Sequence, residues 1–294
     1  MKNDERQGGG GDKSVEEAVR TFYDTFGWVK VNGNKSGEDA SFRKFRPAGY
    51  PYHERVDQKT YNCFSEHSGR LLIAGGGDIP ESHIAVAEHF SQLCCLDISQ
   101  KALDIAQSKL GEKAEYRLAS ILDIPTQDNT YDAVFCAHVI YHIDFELQER
   151  AVDELIRVTK PGGRIVIIYH NLGSIVPKIV RCAQAVAKLR RLATRVRKSE
   201  SGGSAVSGPT QQRPPLPFSR HSLGWWKRFE PKCKVTFLPW MVMGDEQERV
   251  LLRSDSVTRF VYGCCSWIET NMPTIAARLW QYPIIVVDKP KNPS

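Results

Sequence analysis

The chain predicts a doubly wound, mostly parallel α/β sheet, and three observations carry that expectation. Between residues 69 and 173 short apolar runs alternate with helical patterns. The first run, Leu71-Leu72-Ile73-Ala74, stops in Gly75-Gly76-Gly77, and the second, Leu93-Cys94-Cys95-Leu96, stops in Asp97. The elements follow in order: strand 71–74, helix 82–90, strand 93–97, helix 100–110, strands 114–118 and 131–136, helix 147–159, and strand 164–169 after the turn Lys160-Pro161-Gly162-Gly163. Strands joined through helices by short loops must run parallel, with helices covering both faces.

Outside this core the rhythm changes. Residues 1–13 combine charges with Gly8 to Gly11 and read as a disordered tail. Ser14 followed by Glu16 and Glu17 starts a helix over 14–26 with Val15, Val19, Phe22 and Phe26 on one face, and the polar, aromatic stretch beyond it makes 14–68 a helix with a lid. The core occupies 69–173. Residues 174–217 form a basic helix over 174–198 and a Ser, Gly and Pro-rich linker. Residues 218–294 hold an aromatic segment, a strand-like run at 234–243, a helical pattern over 249–280 and a final apolar run, Tyr282-Pro283-Ile284-Ile285-Val286-Val287.

Composition excludes several classes. With 294 residues, 41% apolar and 25% charged, the chain can bury a sizeable core. The charged N-terminus lacks a signal-peptide core and no apolar run approaches the roughly 18–20 residues that cross a bilayer, so a cytoplasmic protein is expected. The eight cysteines contain no C-x-x-C pair and read as free buried thiols. A net charge of +6 comes largely from the basic helix and gives no strong nucleic-acid signal.

In a doubly wound sheet the ligand crevice lies at the carboxyl ends of the strands, where Gly75, Gly76 and Gly77 sit. Asp97, about twenty residues on, stands where an acid holds ribose hydroxyls. A nicotinamide dinucleotide would satisfy both features, yet no G-x-G-x-x-G is present, and Glu81 beside the loop would repel a pyrophosphate.

Five pieces in order then carry a family resemblance: the glycine loop, L-D-I-S-Q-K-A-L-D-I-A, I-L-D-I-P-T-Q-D-N-T-Y-D-A-V, C-A-H-V-I-Y-H-I, and E-L-I-R-V-T-K-P-G-G-R-I-V-I. Over roughly residues 70–169 the chain resembles the class I S-adenosylmethionine-dependent methyltransferases, specifically the group described as methyltransferase type 11. The resemblance implies a Rossmann-like sheet of seven strands, with 234–243 and 283–287 as the last two, insertions forming a helical cap, and S-adenosyl-L-methionine as cofactor. It also implies roles by position. Gly75, Gly76 and Gly77 approach the methionine half, Asp97 and Ile98 lie at the ribose, Ser120 and Ile121 at the adenine edge, and Ala137 beside the methionine portion. Ile73, Ile79 and Ser120 depart from the family pattern, where an acid, a glycine and an aspartate are usual; Asp78 or Glu81 could replace the missing acid.

His138 and His142 follow the fourth strand and share a face if that stretch is helical. An unshifted imidazole near pH 6.5 suits a general base, so both are catalytic candidates, while His142 as a packed, hydrogen-bonded residue is the alternative. No third ligand accompanies them, and no metal is expected. Tyr50, Tyr52, Arg55 and the segment around Tyr23 are either a closing lid or ordinary surface. Along 174–198 an apolar stripe of Ile175, Ile179, Cys182, Val186, Leu189, Ala193 and Val196 lies opposite many of the cations, with Arg190 and Arg197 intruding on it, so this helix either packs on the domain, lies peripherally on a membrane surface, or meets nucleic acid. The expected function is methyl transfer to an oxygen or nitrogen of a small-molecule, sugar or lipid-linked acceptor. The alternative is a catalytically inactive binding or scaffold protein.

Overall fold

The structure is a computed structural model, and it describes residues 10–27, 47–77, 79–196 and 216–291. Seven strands form one sheet: β1 (Arg70–Ala74), β2 (Gln92–Asp97), β3 (Ala114–Leu118), β4 (Tyr131–Ala137), β5 (Thr159–Ile168), β6 (Lys234–Met241) and β7 (Tyr282–Asp288). Their order is β3-β2-β1-β4-β5-β7-β6, with β1 to β5 parallel and β7 antiparallel to both β5 and β6. The expected doubly wound, mostly parallel sheet is therefore present, with its switch point between β1 and β4. Because β7 is reversed, the start of β7 lies at the same sheet edge as the ends of β1 to β6.

The helices are α1 (Gly10–Phe22), α2 (Tyr50–Asn62), α3 (Glu81–Glu88), α4 (Gln100–Leu110), α5 (Gln148–Val158), α6 (Val176–Val196), α7 (Asp245–Leu251), α8 (Asp255–Asn271) and α9 (Pro273–Leu279). One face of the sheet packs Leu71, Ile73, Cys95 and Phe135 against α2, α3, α4 and α8. The other packs Leu72, Val134 and Ile167 against α5 and the aromatic segment at Trp226 and Phe229. Successive strand residues feed opposite cores, which is why each strand reads as a continuous apolar run.

Several boundaries differ from the sequence expectation. The first helix starts at Gly10, ahead of Ser14, and ends in a single π turn at Tyr23–Gly27, so Gly10 to Lys13 lie within α1 rather than in a tail. Residues 1–9 lie outside the described residues, as do 28–46 of the expected lid and 197–215 of the expected linker. The expected turn at 160–163 is part of β5. Gly162, at φ +81°, and the register shift opposite Tyr131 and Ala133 accommodate it as an irregularity within the strand. The helical pattern over 249–280 resolves into α7, α8 and α9, because Ser254 caps α8 through Val257 N–H and Pro273 opens α9. Trp226 is fully buried and Trp225 stacks on His221, so the tandem tryptophans build core rather than a base-stacking platform.

Six of the eight cysteines are buried and all are free thiols, while Cys182 and Cys264 are exposed. Burial pushes the Cys63 thiol up to about 11 and Cys95 up to about 12, which keeps both protonated and inert at neutral pH. Tyr52, considered above for a lid, instead belongs to the core: its hydroxyl donates to Glu269 Oε1 at 2.7 Å and accepts from Val242 N–H at 3.0 Å. Glu269 is itself buried and also accepts from Lys59 Nζ at 2.6 Å and Trp280 Nε1 at 2.8 Å, so the carboxylate is fully compensated and ties α2 to α8.

Candidate active site

At the carboxyl edge of the sheet a cavity of about 830 Å³ runs from the glycine loop to a chamber of histidines and aromatic rings. Its first half is built by β1 and β2. Gly75, at φ +70°, and Gly77, at φ +51°, take the left-handed backbone that a side chain disfavours, and a Cβ on Gly75 would collide with Val139. Gly75 N–H donates to Leu96 O at 2.7 Å and Gly77 N–H donates to Asp97 Oδ2 at 3.0 Å, which pins the loop to the end of β2. Asp97 Oδ1 accepts from Ser99 N–H at 2.9 Å. Burial raises the Asp97 carboxyl above its ordinary range against the pull of these backbone donors, so the ionised group is held there at a cost in free energy.

The apolar departures from the family pattern have a packing role. Ile73 and Ile79 are buried and close on Gly76 from beneath, so the loop rests on hydrocarbon where a carboxylate is usual. Asp78 and the side chain of Glu81, considered as replacements for that acid, lie outside the described residues.

Of the cofactor positions expected from the sequence, Gly75, Gly76, Gly77, Asp97, Ile98, Ile121 and Ala137 line the cavity. Ser120 is not on its wall; Ala119 and Ile121 are. The Ser120 hydroxyl is engaged by the Glu16 carboxylate of α1 and accepts from Leu122 N–H at 3.0 Å, so it is already committed to two partners. The N-terminal segment closes this half of the site. Glu16, Val19, Arg20 and Tyr23 line the cavity, and Asp24 accepts from the Ser99 hydroxyl at 2.5 Å and, through its carbonyl, from Lys101 Nζ at 2.7 Å. Of Tyr23, Tyr50, Tyr52 and Arg55, all considered for a lid and all among the described residues, Tyr23 lines the cavity and the other three do not. Arg55 donates to Ser266 Oγ at 2.5 Å, and Tyr50 is exposed.

The second half contains both catalytic candidates, in a different geometry from a shared helical face. His138 sits at φ +63° in the turn after β4, and His142 ends a 3₁₀ turn, Ile140–His142. His138 Nδ1 is 2.8 Å from Tyr141 Oη. Burial first, and then His142, push the His138 imidazole down to about 3, so it is neutral at physiological pH and a far weaker base than an unshifted histidine. His142 Nδ1 lies 2.8 Å from Pro217 O, a carbonyl that can only accept, so Nδ1 carries a proton and donates it to that bond.

Sequence reasoning missed the third histidine. His170, just beyond β5, accepts at Nδ1 from Arg220 Nη1 at 3.1 Å, and burial followed by Arg220 pushes it down to about 3. Tyr282 at the start of β7 lies between the two neutral rings, 5.5 Å from His138 and 4.9 Å from His170 between centroids, and Trp240 of β6 is 5.2 Å from His138. The available signal was topological: each of these residues falls at the functional edge of its strand. A further wall is Gly244 and the helix it opens, α7, through Glu246 and Arg249. Among the described residues no group of three His, Cys, Asp or Glu is placed to hold a metal ion. The arrangement joins a polar half at the glycine loop to a half of aromatic rings and the neutral imidazoles of His138 and His170, with Glu246 and Arg249 on its wall.

The sheet order, the glycine loop fixed to Asp97 and the cavity at the strand ends are those of the class I methyltransferase fold. Residues 73–167 match the family profile described as a methyltransferase domain, and the chain carries that domain. Among curated proteins it is similar to an uncharacterized methyltransferase-like protein of Schizosaccharomyces pombe, 26% identical over 46% of this chain and 52% of that one. A demethylmenaquinone methyltransferase of Clavibacter sepedonicus is 33% identical over 33% of this chain and 38% of that one. The match thus spans about half or less of the length of these relatives. Among solved structures, the geranyl diphosphate C-methyltransferase of Streptomyces coelicolor, in complex with S-adenosyl-L-homocysteine, shares the fold at TM-score 0.52 and 14% identity, covering 94% of this chain and 97% of that one. The N-methyltransferase NodS of Bradyrhizobium japonicum shares it at TM-score 0.51 and 12% identity, over 95% and 98%.

Proposed function

We propose that the protein transfers the methyl group of S-adenosyl-L-methionine to an oxygen or nitrogen of a small-molecule, sugar or lipid-linked acceptor. One observation carries the reading: the Gly75–Asp97 half and the His138–His142–Tyr282 half are two ends of a single cavity. A donor at one end therefore meets an acceptor at the other. Asp97 would accept the ribose hydroxyls, and Ile121 would flank the adenine. Gly75 to Gly77 and Ala137 would let the backbone approach the methionine portion. The absence of a phosphate-binding demand on α3 suits a sulfonium nucleoside. When bound, the cofactor supplies an electrophilic methyl group.

The protein's part is orientation and proton handling. An in-line displacement gains most from holding the acceptor atom against the methyl, and the aromatic wall of Trp240, Tyr282 and Phe218 provides that surface. His138, neutral and paired with Tyr141, orients the acceptor by hydrogen bonding rather than by taking its proton. His142, fixed by the bond from its Nδ1–H to Pro217 O, is the second ring at this end of the cavity and the candidate to receive that proton. The relatives include proteins named as C-methyltransferases, and the class of acceptor atom in this chain belongs to the proposal.

Calorimetric titration of the full chain with S-adenosylmethionine, S-adenosylhomocysteine and a nicotinamide dinucleotide tests it. Micromolar binding of the first two alone is expected. A chain that binds none of them would instead be a scaffold that has kept the fold, and preference for the dinucleotide would reverse the cofactor assignment.

A further inference from the structure

Of the alternatives for the basic helix, packing on the domain through Ile179, Cys182, Val186 and Leu189 of its apolar stripe is not what the structure shows. Helix α6 has 21 residues and is about 31 Å long. It meets the domain through a different line: Val176 is buried and Val180 partly so, packed against the core that α7 and α8 share. Ile179, Val186 and Leu189 are 46%, 48% and 66% exposed, and Cys182 between them is exposed as well. At about 100° per residue this stripe lies roughly 110° around the helix from the packed line. Exposed Lys178, Arg181 and Lys188 lie about as far again on the other side. Three faces result: one docked, one aliphatic and bare, one cationic. No acidic residue occurs between 174 and 198.

We propose that this bare stripe and its flanking cations dock the protein on an anionic lipid surface. Aliphatic side chains beside long cationic ones are what an interfacial helix presents: the first enter the boundary between headgroups and acyl chains, and the second reach the phosphates with extended stems. A nucleic acid would engage the cations but gain nothing from Ile179, Val186 and Leu189. The position has a consequence for the site. Helix α6 packs on α7, Gly244 and α7 line the cavity, and His170 lies just ahead of α6, so the docking helix and the cavity are neighbours in the fold. No helix among the described residues is long and apolar enough to cross a membrane, and the contact is peripheral. This inference stands apart from methyl transfer and is tested without it.

The experiment is flotation of the full chain with phosphatidylcholine vesicles, with and without phosphatidylglycerol, at low and high salt. The chain should float only with phosphatidylglycerol and less at high salt. The pairs Val186→Asp with Leu189→Asp, and Lys178→Glu with Lys188→Glu, should each weaken binding by at least about tenfold. Both pairs lie on exposed positions, so their thermal unfolding should match the parent. Phe260→Asp, on the separate exposed face of α8 where Phe260 is 72% exposed, serves as the control and should float normally. The proposal is overturned by failure to float with phosphatidylglycerol, by equal flotation on phosphatidylcholine alone, or by loss in the Phe260 variant only. A concentration-dependent dimer abolished by the Val186 and Leu189 pair, without flotation, would assign the stripe to a second copy of the chain and also overturn it.

Discussion

Replacing Asp97 separates the structural duty of this carboxylate from its binding duty. In Asp97→Ala the N–H groups of Gly77 and Ser99 lose the acceptors they have at 3.0 and 2.9 Å. Each stranded donor costs about 1–3 kcal/mol, so the variant should lose about 2–6 kcal/mol of stability. In the middle of that range the melting temperature falls by roughly 8–16 °C. Asp97→Asn behaves differently. It retains one acceptor oxygen, and it removes a buried charge whose raised pKa means that ionisation opposes folding. The sign follows from linkage: a carboxyl raised in the folded state contributes stability fully present below its unfolded pKa and lost as pH rises, so at neutral pH the charge costs stability that the amide does not. The asparagine variant should therefore melt within a few degrees of the parent. Its cofactor affinity should still fall, because one charge-assisted ribose hydrogen bond is lost and the other becomes neutral. That is about 2–4 kcal/mol, or roughly 30- to 1,000-fold in Kd. Differential scanning fluorimetry and calorimetry with S-adenosylhomocysteine read both quantities. The reasoning fails if Asp97→Asn binds within threefold of the parent, or if Asp97→Ala melts at the parent's temperature.

Gly75→Ala should cost about 2–5 kcal/mol, combining the left-handed backbone penalty with the collision against Val139, and denaturant midpoints measure it. His138 and His170 are both pushed down to about 3, below their unfolded value of 6.5. Their contribution to stability is fully present above pH 6.5 and is lost as pH falls from there toward 3, so melting temperature should decline over that interval. The double variant His138→Gln with His170→Gln should flatten the decline relative to the parent, and scanning fluorimetry from pH 7 to pH 4 checks it.

Local pattern was enough for the parts of this protein whose causes are local. Continuous apolar runs bounded by glycine and aspartate are what strands buried on both faces require, so β1, β2 and β4, the loop Gly75 to Gly77 and Asp97 at the end of β2 were legible without coordinates. Ser120 was misplaced for an equally physical reason. Its position in sequence puts it beside the adenine edge, but Glu16, more than a hundred residues away, captures its hydroxyl.

What the tertiary structure decided depends on distant segments meeting. Tyr282 faces His138 only because β7 runs antiparallel, which brings its first residue to the edge where β4, β5 and β6 end and where His170 and Trp240 also stand. The neutral state of His138 comes from the low-dielectric enclosure those residues create, which no neighbour in sequence reveals. The apolar stripe of α6 was visible in the sequence as a period, but a period fixes only which side chains share a face. Whether that face is buried depends on how the helix is rotated against the domain. Val176 and Val180 set that rotation, and they leave Ile179, Val186 and Leu189 in solvent.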